Sequence, residues 1–229
     1  MQTSDWIRAV AAVGTWAAVV VALFGEFIRR WLKRPRLRVV VENEAPRCLM
    51  STLGNPQTGP SPGSPRLAYY LRLWVENEGK SPAEEVEVVA NRLFQKRADD
   101  TFEEVRSFHP MNLMWAYIGK PFAPRIAPGM GRHCDLGRVV DPAIRGQTGP
   151  NTNLPQVPSH LPILDLAVEA RVNSLPHLLA PGTYRLQLVV AASNAKPVSQ
   201  TVAITITAWN ADEDEMRRHG VRMSPSSPP

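Results

Sequence analysis

Five histidines, His109, His133, His160, His177 and His219, are the side chains from which metal or acid–base chemistry would be built. No two stand at a chelating spacing such as H-x-x-x-H. His133-Cys134-Asp135 is the only cluster of ligand types. Neighbouring residues of a strand point to opposite faces, so His133 and Asp135 share a face that Cys134 does not reach. A metal site needs three or four ligands, and the cluster reads as an ordinary strand end. No glycine-rich phosphate loop and no G-x-S-x-G elbow occurs, and nothing favours a Ser-His-Asp arrangement. The paired carboxylates Glu84-Glu85, Asp99-Asp100 and Glu103-Glu104 read as solvated surface. No catalytic residue, metal or cofactor is expected, and the rival reading is an enzyme whose site is assembled from loops.

The most aromatic region is Trp115 to Tyr117, with Phe108 and Phe122 nearby. Its two readings are core filling and a binding edge carried on a loop. The Pro-rich stretch Glu44 to Arg66 and the stretch Ser107 to Asn112 are the loop surfaces to test first. Cys48, placed in that Pro-rich loop, and Cys134 are expected as free thiols in a reducing compartment.

The whole chain has 229 residues, 26 basic and 21 acidic groups, and a net charge of +5. Residues 1 to 36 hold Arg8, Arg29, Arg30, Lys33, Arg34 and Arg36 against Asp5 and Glu26, which leaves the remainder close to neutral. A nucleic-acid binder spreads its basic face over the folded domain, so no nucleic-acid partner is expected. A hydrophobic content of 44% suffices for a core, and two cysteines make no disulfide framework.

Ala9 to Gly25 is an uncharged run of 17 residues. At ~1.5 Å per residue a helix of that length approaches a ~30 Å hydrocarbon core. Trp6 and Trp31 bracket it, Ser4 or Asp5 offers an N-cap, and Pro35 stops it. A buried core helix would carry a polar stripe, and a signal peptide would place its positive charges first. The expectation is therefore a single-pass transmembrane helix, with the lipid bilayer as its partner. Arg29, Arg30, Lys33, Arg34 and Arg36 crowd the C-terminal flank. The positive-inside rule then puts the N-terminus outside and the rest in the cytoplasm, at a bacterial inner membrane. Gly14, Ala18 and Ala22 form a small-xxx-small face that would let two such helices pair into a homo-oligomer. The other reading of that face is an alanine-rich span with small residues by chance.

Beyond Pro35 the period changes to that of strands. Leu37 to Asn43 reads as the first. Tyr69 to Asn77 alternates Tyr69, Leu71, Leu73 and Val75 with Tyr70, Arg72, Trp74 and Glu76. Glu85 to Leu93 follows a turn, with Val86, Val88 and Ala90 on one side. Arg97 to Arg106 reads as loop or short helix. Leu113 to Ile118 and Arg132 to Val140 are weaker strand candidates about the Pro128-Gly129 turn. Ile163 to Val172, Thr183 to Val190 and Val198 to Ala208 alternate clearly, the last two as a hairpin. About seven strands with turn signals between them indicate an antiparallel β-sandwich.

Val75-x-Asn77-x-Gly79-x-x-x-Ala83-x-x-Val86 resembles the V-x-N-x-G-x-x-x-A-x-x-V hairpin of bacterial immunoglobulin-like domains of the CARDB type. Pro181-Gly182-Thr183-Tyr184 is similar to the P-G-T-Y that opens one of their late strands. These motifs are turn chemistry, and what they imply is the fold. The fold class read from the sequence is thus mainly β, one N-terminal transmembrane helix followed by an antiparallel immunoglobulin-like β-sandwich. Its parts are residues 1–36, a sandwich over 37–209 with long Pro-rich loops, and a polar, largely disordered tail over 210–229. The matching function is a membrane-anchored cytoplasmic interaction or sensing module without catalytic activity, with other membrane proteins as partners. The alternative is an accessory subunit of a membrane transport or envelope complex.

Overall fold

A computed structural model describes residues 34–53, 67–147 and 156–228. The strands are β1 (Leu37–Val40), β2 (Cys48–Thr52), β3 (Leu67–Asn77), β4 (Ala83–Lys96), β5 (Phe102–Glu104), β6 (Met111–Asn112) and β7 (Phe122–Ile126). They continue with β8 (Gly131–Val140), β9 (Leu164–Leu166), β10 (Leu178–Leu179), β11 (Gly182–Ala192), β12 (Ala195–Ile206) and β13 (Val221–Ser226).

Two antiparallel sheets result. One runs β1-β3-β8-β9-β10, with β2 beside β1 on the same edge of β3. The other runs β13-β12-β11-β4, and β5, β6 and β7 follow one another along the free edge of β4. Alternation puts Tyr69, Leu71, Leu73 and Val75 of β3 inside, together with Val86, Val88 and Ala90 of β4. Tyr184, Leu186, Leu188 and Val190 of β11 and Val202, Ile204 and Ile206 of β12 join them in one core. Each large side chain so buried contributes about 1.5–3 kcal/mol relative to exposure.

The fold class expected from the sequence requires correction. The described chain is mainly β, and its helix is confined to Glu213–Gly220 apart from a 3-10 segment at Pro142–Gln147. No helix among the described residues is long and apolar enough to cross a membrane. The run Ala9 to Gly25, the face Gly14, Ala18 and Ala22, and Arg29, Arg30 and Lys33 lie outside the described residues.

Smaller differences have local causes. Cys48, expected in a loop, is buried in β2, and Phe102–Glu104 inside the charged stretch is strand. Leu113 to Ile118 supplies only the isolated bridges Leu113–Val168 and Trp115–Cys134. Alternation from Ile163 holds to Val168 and then fails, with Ala170 and Val172 exposed. The segment from Asn210, whose charges read as a short helix at best before a disordered tail, forms a helical turn and then, in place of the tail, β13. Asp212 caps that turn by accepting the Glu215 N–H at 2.9 Å, and Met216 is buried. Glu213 accepts the Met50 N–H at 2.9 Å, and Val221 and Met223 of β13 enter the core against β12.

One buried amide organises the pole where residue 34 meets the sheets. Asn77 accepts the N–H groups of Arg36 (3.1 Å) and Gly79 (2.9 Å) and donates to the carbonyls of Ser81 (2.8 Å) and Ile126 (3.0 Å). All four positions of the carboxamide are used, which a fully buried side chain requires. The clamp joins the first strand, the β3–β4 turn and the end of β7. Close by, Ala127-Pro128-Gly129-Met130 closes with a Met130 N–H to Ala127 carbonyl bond of 3.1 Å. Gly129 supplies the φ of +70° that a type II turn demands at its third position.

Candidate functional site

The outward face of β3 and β8 carries the chemistry. Period-2 alternation turns Tyr70, Arg72, Trp74 and Glu76 away from the core, and the register sets Arg72 opposite Asp135, Trp74 opposite His133 and Tyr70 opposite Arg138. Arg72 donates through Nε to Asp135 Oδ1 at 2.9 Å and through Nη1 to the Tyr117 hydroxyl at 2.9 Å. Its guanidinium lies 5.5 Å from the Tyr70 ring centre and 5.0 Å from that of Tyr117, within cation–π range. The Arg72 side chain keeps 12% of its surface in solvent. Burial pushes the Asp135 carboxyl above its ordinary value against the pull of Arg72, and burial followed by Arg72 pushes His133 below its own. The His133 ring meets Trp74 edge-on, with centres 4.8 Å apart.

Tyr117 reaches Arg72 from a loop pinned by its neighbour. Trp115 is buried and donates Nε1–H to the Val86 carbonyl at 3.1 Å, while its backbone N–H is held by Lys120. The loop reverses over Tyr117 and Gly119, both at φ 64°. For glycine that conformation is free. For a tyrosine it costs on the order of 1–2 kcal/mol. Tyr117 nevertheless stands 85% exposed, and Phe122, near Lys120, is 38% exposed. The aromatic region thus divides: Trp115 and Phe108 fill the core, and Tyr117 and Phe122 face solvent.

Beside this face β8 carries one extra residue. Leu71 pairs with Gly137 and Arg72 with Asp135, so Leu136 is a bulge, and beyond it β8 exchanges the Met114–Trp115 segment for β9. Such irregularities part a sheet and often adjoin sites. A cleft of about 210 Å³ opens here, lined by Tyr70, Met114, Asp135, Arg138, Asp165 and Arg171. Gly137 allows the close approach, since a Cβ there would fall 2.6 Å from the Asp165 carbonyl. Arg171 holds Asp165 Oδ2 at 2.9 Å, and Asp165 Oδ1 is buried 4.0 Å from Nε2 of His177. His177 is 1% exposed, and burial holds it below its ordinary value. The cleft is smaller than the ~300–1,000 Å³ usual for ligand pockets, and both its carboxylates are paired with arginines.

His133 and Asp135 do share the outer face, and Cys134 is buried in the core. Among the described residues no three His, Cys, Asp or Glu side chains gather at metal-binding distance. Cys48 donates weakly to Asn43 Oδ1 at 3.6 Å, and burial pushes its thiol up to about 11. Cys134 is driven well above its ordinary value by the same cause. The carboxylate pairs are exposed, with Glu103 held by Arg97 and Glu104 by Arg92. Of the loop surfaces singled out in the sequence, Phe108 and Met111 are buried, and residues 54–66 lie outside the described residues. Of the basic flank, Arg34 and Arg36 are described, and both are exposed. Sequence reading missed Arg72, Asp165 and His177 as site residues. The one available signal was an arginine between Tyr70 and Trp74 on the outer face of a strand. No family model matches the chain, and no curated protein is similar to it in sequence.

Proposed function

We propose that this domain is a non-catalytic protein-interaction module positioned at the cytoplasmic side of a membrane, with Tyr117 as the anchor of its recognition surface. One observation carries the reading: a tyrosine is held in backbone that favours glycine, almost wholly exposed, and braced from behind by Arg72. Nothing in the core needs that side chain, whereas exposed aromatic residues held rigidly are what interfaces use as hot spots. The pairing of Asp135 with Arg72 and of Asp165 with Arg171 supports binding over catalysis, because it ties up the carboxylates an acid–base mechanism would need. The position at a membrane is supported by the basic flank through Arg36 and the uncharged run before it. The N-x-G clamp and the two-sheet architecture support an immunoglobulin-like kinship. The test is a gentle-detergent pull-down with the full chain and its Tyr117→Gly and Phe122→Ser variants. Loss of the same membrane-protein partners from both variants is expected. Retention of every partner by both would discard the assignment.

A further inference from the structure

We propose that the pole at which residue 34 joins the sheets is a docking surface for an anionic lipid bilayer, an inference that rests on the membrane position proposed above. The near pole is made by residues 34–36, the β3–β4 turn, the Ala127–Met130 turn and the β11–β12 hairpin. Register brings them to one end of both sheets: Leu37 opposes Asn77, Glu76 opposes Gly131, Ala83 opposes Ile126, and Ser193 bonds to Glu84. Arg34, Arg36, Lys80, Arg132 and Lys196 are all exposed there. Among the described residues none of them makes an ion pair, whereas at the far pole Lys96 is bound to Asp100, Arg97 to Glu103, and Arg217 to Glu213 and Asp214. Of the acidic groups at the near pole, Glu78 is taken by Arg38, and Glu84 and Glu85 lie at the start of β4. The near pole thus gathers five exposed basic side chains without an ion pair against two exposed carboxylates, Glu84 and Glu85, while Arg106, Lys120 and Arg222 stand singly elsewhere on the domain.

The occupant follows from three features. First, Met130 projects from the Pro128-Gly129 turn with 61% of its surface exposed, an apolar group amid basic ones. That combination matches the headgroup–acyl boundary of an anionic leaflet, where each Lys or Arg is attracted by the surface potential. Second, 33 residues precede the described chain, and they contain the uncharged run Ala9 to Gly25 and end at this pole. Third, the junction is short and tied. Arg36 is bonded to Asn77 and Glu78, and the backbone of residues 34–36 lies against Gly79 so closely that a Cβ there would fall 2.5 Å from it. Whatever the preceding residues bind is therefore held against this end of the sandwich rather than at the length of a free tether.

The experiment uses the full chain with Met130→Cys or Ala98→Cys carrying an environment-sensitive fluorophore, since the two native thiols are buried. Vesicles are phosphatidylcholine alone or mixed with phosphatidylglycerol, and both contain a lipid-borne quencher. Quenching at position 130 and not at the far-pole position 98 is expected on the mixed vesicles. It should fade on passing from about 0.1 M to about 1 M salt, where the Debye length falls from ~10 to ~3 Å. Combining Lys80→Ala, Arg132→Ala and Lys196→Ala should weaken docking on the order of 100-fold, the worth of three basic charges near an anionic surface. If the chain sediments with both vesicle types but position 130 is quenched no more than 98, the docking surface is overturned while the membrane position stands. If it sediments with neither, both fall.

Discussion

Asn77 and Gly79 are locked to each other across one turn. The Asn77 carboxamide oxygen accepts the Gly79 N–H at 2.9 Å, and the hydrogen in place of a Gly79 side chain leaves the room through which Pro35 passes. The two residues thereby set where the chain joins the domain. Replacing Asn77 by Ala would strand two backbone N–H groups and two carbonyls at the near pole, at a cost of about 3 kcal/mol. Urea unfolding monitored by tryptophan fluorescence measures it. Asn77→Asp keeps the acceptor but aims a carboxylate at the Ser81 and Ile126 carbonyls, and its loss should ease in acid as the carboxyl gains a proton.

Gly79→Ala and Gly129→Ala separate two uses of glycine. At Gly79 a methyl meets the backbone of Arg34, Pro35 and Arg36 at 2.5 Å, so the strand junction itself must move. At Gly129 there is open space and only a φ of +70° to maintain. Gly129→Ala is expected to cost about 1 kcal/mol and leave the fold unaltered. Gly79→Ala should cost more, and amide exchange should rise selectively over residues 36–40.

Breaking the Arg72–Asp135 pair should reveal its electrostatic character. Arg72→Ala removes the group that opposes burial of the Asp135 carboxylate, and with a quarter of Asp135 still in water the cost is about 2 kcal/mol at neutral pH. The folded-state carboxyl then rises further above its unfolded value. The folded protein binds the proton more tightly, so the variant gains stability as pH falls from the raised folded-state value toward the unfolded one. Adding Asp135→Asn should restore part of the loss at neutral pH, and thermal unfolding of the four-member cycle reads the coupling.

His177 and His133 are held below their ordinary value by burial, so the unfolded chain takes up their protons first. Stability contributed by their neutral forms is complete above the unfolded pKa of about 6.5 and declines as pH falls below it, by at most about 1.4 kcal/mol per pH unit for each. Between about pH 7.5 and pH 5.5 the melting temperature should fall. The slope should flatten in His177→Gln.

Much of the fold is legible in the residues. β3, β11 and β12 alternate over most of their length, Ala68 and Thr201 apart, because each buries one face against the opposite sheet. Short edge strands escape that reading. β7 contains Pro124 and Arg125, and β13 offers only Val221 and Met223 before Pro225, because an edge strand of a few residues buries little. The charged segment after Asn210 reads as a short helix at best, and a helical turn does form over Glu213–Gly220, held by the Asp212 cap and the Arg217 pairs. The site was harder still. Arg72 and Asp135 are separated by 63 residues, and only the strand register joins them. The fold-back at Tyr117 depends on a left-handed backbone that no tyrosine advertises.

The perimeter of the two sheets bears on self-association. β4 meets three short strands in series along one side, β3 meets β1 and β2 in the same manner, and β10 has two residues. β13, the remaining border, carries Pro225, which has no N–H to offer a newcomer. Among the described residues no long, straight row of backbone donors and acceptors invites a second chain to extend either sheet. Copies of this protein that associate through these borders would therefore meet by side chains across surfaces, and not by adding strand to strand as a cross-β fibre does.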